Sequence, residues 1–85
     1  MNSFKDIKIG SLYWFTKRTS CYTDDDGFMI NSRTPFVVLN LSKLKGARES
    51  WYKLKILTTA GLVCYINIWN DTLRIMEELV TNENL

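Results

Sequence analysis

Few side chains in this sequence are of the types that carry chemistry. Cys21 and Cys64 stand far apart with no CxxC spacing, and the chain holds no histidine. That removes the common zinc patterns and leaves a disulfide as the only cysteine-based alternative. It also removes the usual general base beside a Ser, Thr or Cys nucleophile, and no Lys or carboxylate pair stands out by spacing to replace it. Asp24-Asp25-Asp26-Gly27 clusters carboxylates as a hard cation requires. The calcium-loop form, however, needs an acid where Tyr22 stands and a glutamate where Arg33 stands. An Asp-Gly turn is the simpler reading. The glycines are isolated, so no phosphate-cradling loop is present. These residues point to a protein without catalysis, cofactor or metal.

Aromatic and basic side chains are the stronger signal. Trp51 opens an alternating stretch, Tyr13 and Trp14 precede a long polar segment, and Trp69 follows a β-branched run. Lys43, Lys45, Arg48, Lys53 and Lys55 crowd the centre against Glu49, whereas Asp71, Glu77, Glu78 and Glu83 dominate the end against Arg74. The net charge of +2 is too small to imply a nucleic-acid partner by itself. Rings beside a basic stripe nonetheless stack bases in single-strand binders, so Lys43, Lys45, Arg48, Lys53 and Lys55 define a nucleic-acid alternative. Against it stands the plain use of such residues: charges solvate a surface and large rings fill a small core.

The elements that must position these residues centre on 51–68. In Trp51-Tyr52-Lys53-Leu54-Lys55-Ile56-Leu57-Thr58, Tyr52, Leu54 and Ile56 share one face and Trp51, Lys53 and Lys55 the other, a strand with one buried and one wet face. Thr59-Ala60-Gly61 leads into Leu62-Val63-Cys64-Tyr65-Ile66-Asn67-Ile68, which completes a hairpin whose Gly61 can take positive φ. Trp51 should project outward or lie under a loop. Ile7 to Phe15 reads as a first strand bent at Gly10-Ser11, and Pro35 opens Phe36 to Leu41. Thr16 to Thr34 is a long loop with material for a short irregular hairpin around Tyr22, Phe28, Met29 and Ile30. Trp69-Asn70-Asp71-Thr72 is turn-like, and Leu73 to Met76 alternates as a short strand. Asp71 is also placed to cap a helix, with Leu73, Met76 and Val80 at helical spacing.

Five strands with a long first loop, a medium second, a tight hairpin and a short turn resemble an SH3-like barrel. Lys8-Ile9-Gly10-Ser11-Leu12 looks like the K-(I/V)-G-D-L-V opening of small SH3-like proteins, with Ser11 in place of Asp. Pro35-Phe36-Val37-Val38-Leu39 is similar to their second strand, and Trp51 to Ile66 to their W-x-K-V-L…G…(W/Y)-(I/V) hairpin. Such stand-alone barrels are frequent in tailed bacteriophages of the T4-like and cyanophage type, mostly without assigned function. The resemblance implies a viral accessory module that contacts a host or phage protein. In peptide-binding members an aromatic groove lies between the first two loops; Trp51 matches its strand Trp, Trp69 falls near its Tyr, and Asp24, Asp25 and Asp26 stand where an acidic loop belongs. Tyr13 and Tyr22 complete the expected partner-binding set, while the family's groove proline is missing.

The expected product is an all-β five-stranded SH3-like barrel, one domain over 1–85, with its core at about 7–76 and a short tail at 77–85 that has helical spacing. Its core is expected to comprise Ile9, Leu12, Val37, Leu39, Tyr52, Leu54, Ile56, Val63, Ile66, Leu73 and Ile75. No secretory leader is visible and no apolar run is long enough to cross a bilayer, so a cytoplasmic protein is expected, a monomer or weak homodimer. Both cysteines should be free thiols, Cys21 accessible and Cys64 buried.

Overall fold

The computed structural model describes residues 3–44 and 51–79. Lys45 and Arg48 of the basic loop, and the tail beyond residue 79, lie outside the described residues. The described residues form seven strands: β1 Leu12–Phe15, β2 Thr19–Tyr22, β3 Gly27–Ile30, β4 Phe36–Lys43, β5 Tyr52–Thr58, β6 Val63–Ile68 and β7 Met76–Glu78. A 3-10 turn at Phe4–Asp6 precedes them and one helix, α1 Asn70–Arg74, separates β6 from β7. The fold is therefore all-β, but with seven strands rather than five. The difference lies in 16–34, where the expected loop is a regular hairpin pairing Thr19 with Ile30 and Tyr22 with Gly27.

The antiparallel sheet runs β3-β2-β6-β5-β4-β1-β7 and curls into a half-barrel. The β5–β6 hairpin forms as its sequence demands: Tyr52 pairs with Ile68 and Leu57 with Val63. Gly61 has φ of +83°, and the Leu62 amide donates to Thr58 Oγ1 at 3.1 Å inside the turn. Leu54 and Ile56 point inward, fully buried, and Tyr52 on the same face stacks on Phe4 with ring centres 4.2 Å apart.

Elsewhere the inward phase differs from expectation. β4 buries Phe36 and Val38, not Val37 and Leu39, because Val38 pairs with Ile56 and a bulge absorbs Leu39 before Asn40 meets Lys55. β1 buries Tyr13 and Phe15 while Leu12 faces out. Ile9 lies at 58 % exposure, just before Gly10 (φ +88°), whose amide donates to the Val38 carbonyl at 2.7 Å. β6 buries Cys64, Ile66 and Ile68, which puts Val63 on the outside. Ile75 is half-buried, and only Leu54, Ile56, Ile66 and Leu73 of the expected core are fully enclosed.

The expected strand at Leu73–Met76 is displaced. Asn70–Arg74 is helical with Leu73 turned to the core, and its N-cap is Trp69, not Asp71. Thr72 Oγ1 accepts from the Trp69 amide at 3.3 Å, and Asp71 in the first turn suits the helix dipole. The strand then starts at Met76 and pairs with β1, Phe15 opposite Met76 and Tyr13 opposite Glu78. Glu77 and Glu78, assigned to the tail, are thus part of the sheet. No helix among the described residues is long and apolar enough to cross a membrane.

Candidate partner-docking surface

The period of two in β5 and β6 decides what the outer face of the sheet displays. With Lys53 opposite Asn67 and Lys55 opposite Tyr65, every side chain in these pairs points away from the core. One step beyond the Tyr52–Ile68 pair, Trp51 meets Trp69 across the strands. Their rings stack with centres 5.6 Å apart and planes inclined by 19°. Trp69 is 38 % exposed and Trp51 half-buried, so the pair covers the strand ends while keeping part of its surface wet.

The second ring pair sits nearer the hairpin turn. Tyr22 of β2 pairs with Tyr65 of β6, ring centres 5.8 Å apart. The Tyr22 hydroxyl donates to Asn67 Oδ1 at 2.7 Å, and Lys53 Nζ lies 4.3 Å from the centre of the Tyr65 ring. Trp69, just past the end of β6, lies four residue steps from Tyr65, about 13 Å at the usual rise per strand residue. Tyr65 and Asn67 were not among the expected site residues. Their signal is the alternation Val63, Tyr65, Asn67, Trp69 set against Trp51, Lys53, Lys55 across a hairpin.

The expected partner-binding set is only partly assembled. Trp51 and Trp69 touch, and Tyr22 shares their face. Tyr13 does not: it is fully buried, and its hydroxyl accepts from the Lys8 amide at 2.8 Å, so it serves the core. Asp24, Asp25 and Asp26 form the β2–β3 turn, with the Asp25 and Asp26 amides donating to Thr23 Oγ1 at 3.3 and 3.1 Å. Because β2 runs antiparallel to β6 through the Tyr22–Tyr65 pair, that turn extends toward the start of β6, away from Trp69. An acidic loop beside Trp51 is therefore not formed. No group of three metal-ligating side chains occurs among the described residues, and the aspartates act as a turn.

The basic stripe is divided as well. Lys53 and Lys55 share the outer face, whereas Lys43 pairs with Tyr52 and so takes the other phase. Trp14 lies apart, its indole Nε1 donating to Glu77 Oε1 at 2.7 Å on the β1–β7 side. That side holds a groove of about 620 Å³ lined by Lys5, Asp6, Lys8, Met76, Glu77 and Glu78. Its charges are of both signs, and Lys8 Nζ stands 3.6 Å from Glu78 Oε1.

Comparison with protein families, with characterised proteins and with solved structures gives no match.

Neither thiol offers a nucleophile at neutral pH. Both are free, as expected, but Cys21 is only 1 % exposed and so is not the accessible one. Burial and the neighbouring Cys64 push the Cys21 thiol up to about 12. Burial raises Cys64 too, against an opposing hydrogen bond from Cys21. Thiolate is the reactive form, and neither side chain supplies it near pH 7.

Proposed function

We propose that the chain is a small non-catalytic binding module that docks a segment of a protein partner on the outer face of β5 and β6, with Trp69 as the anchor. The observation that carries this reading is the Trp51–Trp69 stack: Trp69 is 38 % exposed, and its indole packs against a second indole. Pre-positioned aromatic side chains lose little freedom on binding and dominate many interfaces. An SH3-like identity is supported by the connections: long from β1 to β4, medium from β4 to β5, tight from β5 to β6 and one short helix before β7. The position of Asp24–Asp26 speaks against a groove of the proline-binding kind. Assignment to a phage accessory protein rests on the sequence resemblance alone.

Base stacking by the same rings is the less favoured alternative. Single-strand binders present successive free ring faces. Here the Tyr65 ring has Lys53 above it and Tyr22 beside it, and Trp51 is stacked against Trp69, so each of these rings already has a neighbour from this chain. The test is affinity capture from a host lysate with wild-type protein and Trp69→Ala. A partner retained by the first and lost by the second, with both proteins folded, supports the docking face. A partner retained equally by both refutes it.

A further inference from the structure

We propose that the segment docked on this face is acidic: a peptide with an apolar residue for Trp69 flanked by carboxylates for Lys53 and Lys55. This rests on the docking reading above and adds the chemistry of the partner. Strands β2 to β6 contain no Asp or Glu, and their only charged side chains are Lys43, Lys53 and Lys55. The carboxylates of the described residues stand elsewhere: Asp6 before β1, the Asp24–Asp26 turn, Asp71 in α1, and Glu77 and Glu78 on the far edge. Asp71, the acid nearest Trp69 in sequence, is turned to Arg74 at 3.8 Å. Neither Lys53 nor Lys55 has a carboxylate partner among the described residues, since the two ion pairs there are Lys8–Glu78 and Asp71–Arg74.

The surroundings add positive charge at the Trp end. The antiparallel pairing of Tyr22 with Tyr65 directs the start of β2, and the exposed Lys17 and Arg18 before it, toward the end of β6 that carries Trp69. Lys53 and Lys55, both partly buried, follow Trp51 at alternate positions of β5, Lys53 opposite Asn67 between the two ring pairs and Lys55 opposite Tyr65. A face of one sign that carries an apolar anchor selects a partner of opposite sign and speeds its encounter. A neutral or basic segment would bring no carboxylate to Lys53, which has only the Tyr65 ring beside it, or to Lys55, and is disfavoured.

The experiment is selection of binders from a library of random short peptides, using the full chain as bait and Trp69→Ala and the double variant Lys53→Gln/Lys55→Gln as counter-baits. Each bait is first checked for a cooperative thermal melt. The lysine variant changes only outward-facing side chains, so it keeps the charge test independent of any effect of Trp69→Ala on folding. The expected result is Trp69-dependent peptides rich in Asp or Glu beside an apolar residue. Their affinity should fall with added salt and by roughly fivefold or more in the lysine variant, as two exposed ion pairs are lost together. Trp69-dependent binders that are neutral or basic, with affinity indifferent to salt, would overturn the acidic partner and leave the docking reading intact. Absence of any Trp69-dependent peptide would remove the docking reading itself. A single-stranded oligonucleotide that binds more tightly than the selected peptides, with a steep salt dependence, would replace the protein partner by nucleic acid.

Discussion

Removing either indole of the Trp51–Trp69 stack measures how the outer face is held together. A fully buried Trp replaced by Ala costs about 3–5 kcal/mol. Trp51 is half-buried, so roughly half of that, about 2 kcal/mol, is expected for Trp51→Ala. Trp69 is 38 % exposed and caps the strand end, which puts Trp69→Ala at about 1–2 kcal/mol. The two are not additive. Each single change already abolishes the stack, seen as ring centres 5.6 Å apart and planes at 19°, so the double variant loses it only once. The coupling should therefore be about 0.5–1.5 kcal/mol, the range for aromatic pairs beyond area burial. Urea titration of wild type, both singles and the double gives the four free energies, with unchanged slopes confirming two-state unfolding. In thermal melts each kcal/mol corresponds to about 4–8 °C for a domain of this size. Strict additivity would refute the stack as a stabilising contact. A loss of 4 kcal/mol or so for Trp51→Ala would instead mark it as a core residue and weaken the docking face.

The remaining expectations follow from particular positions. Val38→Ala should cost about 2 kcal/mol and Val37→Ala less than about 1, because Val38 is fully buried and Val37 is not; equal losses in denaturant melts would contradict the observed phase of β4. Gly61→Val should destabilise by about 1 kcal/mol or more, since φ of +83° is hostile to a β-branched residue although the space around it is open; an unchanged melting temperature would refute this. Both cysteines should resist maleimide in the native protein and react on unfolding, and rapid native labelling of Cys21 would contradict its burial. Cys21 keeps its proton up to about 12 when folded but releases it near 9.0 when unfolded, so the folded state binds more protons between those values. Stability should fall as pH rises through that window, and Cys21→Ala should flatten the fall relative to wild type. An identical pH slope in the variant would refute the shift.

The part of this protein legible in its sequence is the hairpin from Trp51 to Ile68. Lys53 and Lys55 mark a wet face by strict alternation, Gly61 marks the turn, and together they set which side chains of β5 point outward. No distant contact is needed for that, since a polar residue at every second position is a local signal. In β4 the same logic fails, because Phe36-Val37-Val38-Leu39 is apolar on both faces and a one-residue slip exchanges them. Only pairing with Ile56 and the bulge at Leu39 decide that Phe36 and Val38 go in. Likewise Leu73 and Ile75 alternate as a strand would, but Leu73 reaches the core from a helical turn and the strand begins one residue after Ile75. The docking face divides in the same way. Its Trp51 and Trp69 stand in the sequence as two rings eighteen residues apart with a tight turn between them, which a hairpin brings together without further help. Burial of Tyr13, addition of Tyr22 to the face and separation of Asp24–Asp26 from it depend on how β1 and β2 pair with β4, β7 and β6. Those pairings join segments far apart along the chain. Their register is set by the fit of whole faces against one core, which no local pattern records.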